Sequence, residues 1–435
     1  MSAPRAVVRL LRPLCTSNSN ASLIFTRRTM CVTKKAIPKP KEVRKELQSI
    51  VGATKISSFS DQQNLDILKL SSLLVNDQSE LKTRCMKDSY RECIIPLSTD
   101  HKLRDRYMTV LKGVRFGRIL EDLDTMAVWI GYSHNDNPEI YGQVSPLVIV
   151  TALVDRIDLK HEEFVADRDI KIAGHVTWVG KTSMEIEMGV MQELNGEWHE
   201  LIKAHFLMVA RDPLNKRAAI VNPLAPVNDE ERALFQKGEV KRALRQQQKD
   251  QSLMKVPPNQ EEGDIVHGLF LEIIDPEAGT FKRTKKPEGS MWMEEAILKN
   301  IHICQWENRN LYGKMFGGFL MRRAFELAWC NASVYSHTRP RVIAVDDIMF
   351  QAPVEVGSLL YLSSQVVYTD GPCIQMKVHA ETVDPLKAEH KTTNVFHFTF
   401  KTDIPKVPRI MPKSYIEAMM YIDGRRHYLE TMGQS

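Results

Sequence analysis

This sequence predicts an α+β fold built twice over, each copy an antiparallel sheet wrapped round one central helix. The first observation behind this is the stretch Asn310-Leu-Tyr-Gly313-Lys-Met-Phe316-Gly317-Gly318, which leads into the helix-like run Phe319 to Trp329. An offset of 201 positions sets Gly318 on Gly117 and matches Leu320 with Ile119, Met321 with Leu120, Ala324 with Leu123, Leu327 with Met126 and Ala328 with Ala127. A helix apolar on most of its sides has to be buried. The second observation is that strand-like runs follow each helix. Met184, Ile186, Met188 and Val190 alternate with Glu185 and Glu187, and Ile374, Met376, Val378 and Ala380 repeat that period of two. The third is size: 435 residues, 43% of them apolar, suffice for two cores of roughly 120 residues each.

Taken in order, residues 1–41 read as an address. Arg5, Arg9, Arg12, Arg27, Arg28, Lys34 and Lys35 precede the first acidic residue, Glu42, with Ser, Thr and small apolar residues between them. That composition predicts a mitochondrial transit segment and a location in the matrix or at the inner membrane. Without those seven charges the formal net charge falls from +5 to −2, and the argument for a nucleic-acid partner falls with it. Residues 42–84 are charged and read as helical pieces. Copy one spans 85–212, with a strand at Glu92 to Leu97, a helix from Gly117 to about Trp129, and strands at Val148 to Val154, Ile170 to Trp178, Met184 to Met191 and Leu201 to Ala210.

Residues 213–289 form a Pro-punctuated connector in which Asn228-Asp-Glu-Glu starts a charged helix with an Asn cap and an acidic first turn. Copy two spans 290–403, its helix followed by strands at Val342 to Phe350, Leu359 to Tyr368, Ile374 to Ala380 and Thr393 to Phe400. A tail with a short helix closes the chain at 404–435. The seven cysteines form no Cys-x-x-Cys pair, which fits free thiols in a reducing compartment. No apolar run reaches the roughly 18 residues of a membrane span, so membrane contact would be peripheral.

The copies differ at chemically telling positions. Asn310 stands where copy one has Thr109, and Asp124 where copy two has Phe325. Each copy keeps one polar group that the other lacks, which reads either as a single composite site or as drift, with Asn310 capping the turn and Asp124 a solvated helix residue. Other chemistries fail on spacing. Gly174 to Thr182 has one residue too many for a phosphate-binding loop, His199 and His205 are too far apart for a two-histidine zinc helix, and no Gly-x-Ser-x-Gly elbow occurs. No metal or cofactor is called for.

The motif Asn310-x-x-Gly313-x-x-Phe316-Gly317-Gly318 ahead of a buried helix resembles that of the hotdog-fold acyl-CoA thioesterases. With two copies, a long connector and a basic N-terminus, nearly everything after residue 85 resembles the mitochondrial acyl-CoA thioesterase 9 group. The resemblance implies two tandem hotdog domains, acyl-CoA as substrate, a homo-oligomer, an Asn heading the motif, and an acid nine positions after the motif Phe supplied by the neighbouring copy. Nine positions after Phe316 stands Phe325, so copy two lacks the acid; the equivalent place in copy one holds Asp124.

Asn310 would then position water or substrate, and Asp124 would act as general base or, through an anhydride, as nucleophile. The backbone N–H groups of Gly317 and Gly318 at a helix start would face the thioester oxygen. Lys314 and Lys391 are candidates for the CoA phosphates, and Glu121 and Glu326 are secondary acids. A non-catalytic acyl-CoA sensor or scaffold is the rival reading. A hydratase, the third reading, lacks the histidine it would need after Asn135-Asp-Asn-Pro138.

Overall fold

Ten strands form one antiparallel sheet whose order repeats the duplication seen in the sequence. A computed structural model describes residues 37–51, 69–159, 164–214, 216–275, 284–309, 313–384, 386 and 389–433. Most of the expected transit segment, and Asn310, lie outside the described residues.

The first described helix, α1 (Pro40–Ile50), buries Val43 and Leu47. Repeat one then runs β1 (Arg91–Ile95), α2 (Phe116–His134), β2 (Val148–Leu159), β3 (Ile170–Val179), β4 (Ser183–Leu194) and β5 (Glu197–Arg211). Its strands lie in the order β1-β3-β4-β5-β2. A connector carries α3 (Asp229–Asp250) and α4 (Gln260–Ile273). Repeat two runs β6 (Ser290–Trp292), β7 (Ile297–Ile303), α5 (Gly317–Ser336), β8 (Arg341–Phe350), β9 (Leu359–Asp370), β10 (Cys373–Asp384) and β11 (Glu389–Lys401), and the chain closes with β12 (Arg409–Met411) and α6 (Tyr415–Thr431).

Repeat two continues the sheet as β8-β11-β10-β9-β7, the mirror of the first order. The seam is the antiparallel pair β2 and β8, where Leu153 faces Met349 and Ile157 faces Val345. Two tandem hotdog domains thus share one sheet, each wrapped round its own helix.

The central helices are as apolar in surroundings as the sequence predicts. Every residue of α2 except Arg118 is buried. The helix continues past Trp129 to His134 because its polar end is satisfied inside the fold: Ser133 Oγ donates to Trp129 O at 2.8 Å, and His134 Nε2 lies 2.9 Å from Asn222 O. An apolar pattern cannot announce residues that are buried through hydrogen bonds.

Helices cover the outer faces of the sheet as well. Asn228 caps α3 as expected, accepting from Glu231 N at 2.8 Å. The helix then lies on repeat one, where Trp178 Nε1 donates to Glu239 Oε1 at 2.7 Å. A Cβ at Gly238 would sit 2.4 Å from that tryptophan's own Cβ, so α3 docks this closely only with glycine there. Glu185, which alternation assigns to an outward face, is consequently buried beneath α3 and pairs with Lys241 at 3.2 Å and Arg245 at 3.3 Å. At the other end, the short tail helix of the sequence reading is a 17-residue helix, α6, packed across repeat two. The five described cysteines are free thiols.

Candidate functional site

The two central helices meet where each carries a glycine. A Cβ at Gly318 would lie 2.8 Å from the Glu121 backbone, and a Cβ at Gly117 would lie 3.1 Å from Arg322 Cγ. Glu121 and Arg322 occupy equivalent places under the 201-residue offset, and they pair at 3.3 Å across the approximate twofold axis. Glu326 is likewise tied up, to Arg115 at 2.8 Å and to Arg322 at 2.9 Å. Both secondary acids hold the repeats together.

The contact geometry makes the two glycines unequal. Gly318→Ala drives a methyl group into backbone that cannot yield, and we expect it to cost about 1–3 kcal/mol and at least tenfold in activity by moving Asp124. Gly117→Ala presses on the stem of a flexible arginine and meets the Phe325 ring at an ordinary 3.5 Å, so it should be milder on both counts. Melting temperatures and turnover of the two variants, measured side by side, check the difference; equal effects would contradict the geometry.

Asp124 reaches from α2 of repeat one to the start of α5 of repeat two. Its Oδ2 accepts the Gly318 N–H at 2.6 Å, and its Oδ1 accepts the Thr151 hydroxyl at 2.5 Å. Gly317 lies against the same carboxylate, where a Cβ would be 3.0 Å from Oδ2 and 3.3 Å from Phe350. The side chain is 1% exposed. Burial pushes its pKa up to about 6, against the lowering pull of the Thr151 and Gly318 hydrogen bonds. A carboxylate at a helix N-terminus, ionised above that pH but only weakly solvated, is a competent proton acceptor.

The structure therefore brings together Asp124, Gly317 and Gly318, and it corrects one expected role. The Gly318 N–H donates to Asp124, so it is not free to face a thioester oxygen; a helix start offers several unpaired N–H groups, and the carboxylate takes this one. The Gly317 N–H donates to no described residue. Lys314 pairs with Glu355 at the rim of the site. Lys391 is exposed on β11, three residues from Asn394, the register partner of Phe350. It stands roughly 10 Å along the strand from that partner.

Thr151 is the partner of Asp124 that the sequence reading missed. Its signal was present, as the one hydroxyl in the apolar run Val148-Ile-Val-Thr-Ala-Leu-Val154, yet a single Thr in a strand is ordinary.

The opposite pseudo-site is filled. Phe325, in place of an acid, packs on Phe116 at 5.0 Å, Phe398 at 5.7 Å and Phe400 at 6.0 Å. Val342 pairs with Phe400 beside a β-bulge as Thr151 pairs with Met208 beside another, so the hydroxyl is missing there too.

No protein-family model matches the chain. It is 48% identical over 388 residues to acyl-coenzyme A thioesterase 9, mitochondrial, of Mus musculus, spanning 89% of this chain and 88% of that one. It is 47% identical over 395 residues to the Homo sapiens protein of the same name, spanning 90% and 89%. Among solved structures, the acyl-CoA hydrolase of Staphylococcus aureus in complex with butyryl coenzyme A is 19% identical, covers 33% of this chain and 92% of its own, and superposes with a TM-score of 0.32. With close to half of its residues identical across nine-tenths of its length, the chain belongs to the mitochondrial acyl-coenzyme A thioesterase 9 family.

Proposed function

We propose that this mitochondrial acyl-CoA thioesterase performs hydrolysis at one composite site, with Asp124 of repeat one as general base and Asn310 of repeat two positioning the water. The observation that carries the reading is a buried carboxylate held between Thr151 and the first turn of the opposite repeat's helix. In the reaction, Asp124 takes a proton from water as its oxygen attacks the thioester carbon. The resulting oxyanion is met by the Gly317 N–H at the positive end of α5. As the oxyanion collapses, the C–S bond breaks, the thiolate of CoA takes up the proton, and a carboxylic acid is released. The exposed Lys391, and Lys314 on leaving Glu355, are the cations we assign to the phosphates of CoA.

The acid-free basic run to Lys35 supports delivery to the matrix. The open edge at β7, with Ile301 and Ile303 exposed, supports self-association. No helix among the described residues is long and apolar enough to cross a membrane.

The test is release of free thiol from a panel of acyl-CoAs of short to long chain by the full chain, beside Asp124→Ala and Asn310→Ala. Turnover that collapses in both variants supports the composite site. Binding of acyl-CoA without turnover by the unaltered protein would instead identify a sensor, and activity that survives both substitutions would place the chemistry elsewhere.

A further inference from the structure

The site that keeps Asp124 and the pseudo-site that Phe325 fills differ in one more residue. On β11, Asn394 is the register partner of Phe350, the last residue of β8, whose ring stands 3.3 Å from where a Cβ on Gly317 would lie. Directly paired residues on neighbouring strands share a face, with Cβ atoms about 5 Å apart. Phe396, two positions on from Asn394 and so on the same face, packs on Phe350 with ring centres 6.5 Å apart. Asn394 therefore points inward beside the Phe350 ring, on the side of the sheet where Gly317 meets the Asp124 carboxylate.

The duplication gives this position a twin. Leu159 follows Thr151 by as many residues as Phe350 follows Val342, and the register partner of Leu159 on β5 is Ile202. Both Asn394 and Ile202 are completely buried, so an apolar side chain suits the place beside the filled pseudo-site and an amide stands beside Asp124. Asn394 Nδ2 donates to Met349 O at 3.3 Å, while Oδ1 hydrogen-bonds to no described residue. Turning the amide over would set oxygen against carbonyl oxygen, so the unpaired group is the acceptor. A buried acceptor without a donor is destabilising and needs a reason.

We propose that Asn394 binds the pantetheine arm of the substrate, its Oδ1 accepting a hydrogen bond from the amide N–H two methylene groups beyond the thioester sulfur. The inference rests on the composite site proposed above. With the thioester carbon presented to Asp124 and its oxygen to the Gly317 N–H, the substituent on sulfur is what remains to be held. A fatty acyl chain and the thioester itself carry no donor, and this N–H is the first one along the arm. It is also uncharged, which suits a neutral acceptor set between the rings of Phe350 and Phe396, where a charged group would be desolvated without a counter-ion. Phe350 is half-buried at the end of β8, and its ring is the one that turns aside to admit the arm.

The experiment gives the full chain two substrates with the same acyl group: the thioester of N-acetylcysteamine, which keeps this amide, and that of 2-acetoxyethanethiol, in which an ester oxygen replaces the N–H. Thiol release yields kcat/KM for each. We expect the unaltered protein to favour the amide by about fivefold or more, the effect of one buried hydrogen bond. Asn394→Leu should bring that ratio to about one, chiefly by raising KM for the amide substrate. A merely structural asparagine would slow both substrates alike in the variant and leave the ratio unchanged. That result, or an unaltered protein with no preference, would overturn the proposal. Melting curves show whether Asn394→Leu folds; should it not, Asn394→Ala, which removes the acceptor without adding volume, is read in the same way. Asp124→Ala on the same pair keeps the two readings apart, since activity that survives there with the ratio intact would remove Asp124 as the base and leave the Asn394 contact standing.

Discussion

Asp124→Asn lowers kcat for acyl-CoA hydrolysis by roughly 10² to 10⁴, the contribution expected of a positioned acid–base group. The amide is nearly isosteric with the carboxylate and keeps an acceptor for the Gly318 N–H, so the helix contact survives while the proton acceptor is removed. The unaltered enzyme should show a rate that climbs as pH rises through about 6 and then levels, because burial holds the Asp124 carboxyl near that value and only the ionised form can take a proton. Thr151→Val supplies the matching shift. The Thr151 hydrogen bond favours the carboxylate and lowers its pKa, so deleting it should move the rising limb to higher pH. Initial rates of thiol release across pH 4.5 to 9 would decide the matter. A wild-type limb centred near the ordinary carboxylate value, or a limb unmoved in Thr151→Val, would remove Asp124 as the base.

Much of this site could be read before any coordinates. The offset that sets Gly318 on Gly117 is a physical statement, because both glycines sit where one helix touches its twin, and a side chain there meets Glu121 in one case and Arg322 in the other. The exchange of Asp124 for Phe325 was legible for the same reason: equivalent places in a duplicated fold face equivalent neighbours, and opposite chemistry there sets the two places apart. Thr151 was not legible, since its role depends on a register between β2 and α2 that no local pattern encodes. Nor was the covering of the outer faces. Glu185 and Glu187 alternate like solvent-facing residues, and only the placement of α3 shows that Glu185 is buried against Lys241 and Arg245. The Gly318 N–H illustrates the remaining limit: a helix start predicts a free donor, while which acceptor takes it is decided by tertiary packing.

At pH 8, Asp124→Asn should melt at a higher temperature than the unaltered protein, although it is the less active of the two. Burial raises the carboxyl from 3.8 to about 6, so between those values the folded state holds a proton that the unfolded state has lost. Stability therefore falls as pH rises through that window and stays reduced above it, by about 3 kcal/mol if Asp124 acts alone. The amide carries no such penalty. Asp122 on the same helix is also pushed up to about 6 by burial, but it is present in both proteins and cancels from their difference. The gap in melting temperature should consequently narrow as pH is lowered from 8 toward 4.5. A variant that melts below the unaltered protein at every pH would mean that the ionised carboxylate stabilises the fold and that its pKa is not raised. With Asp124 as the proposed base, the cost has a functional reason. An ordinary solvated carboxylate is a weak base, and the desolvation that strengthens Asp124 is the same desolvation that strains the folded chain. The repeat that gave up its acid shows the alternative, for Phe325 packed among Phe116, Phe398 and Phe400 carries no charge to desolvate and no proton to accept.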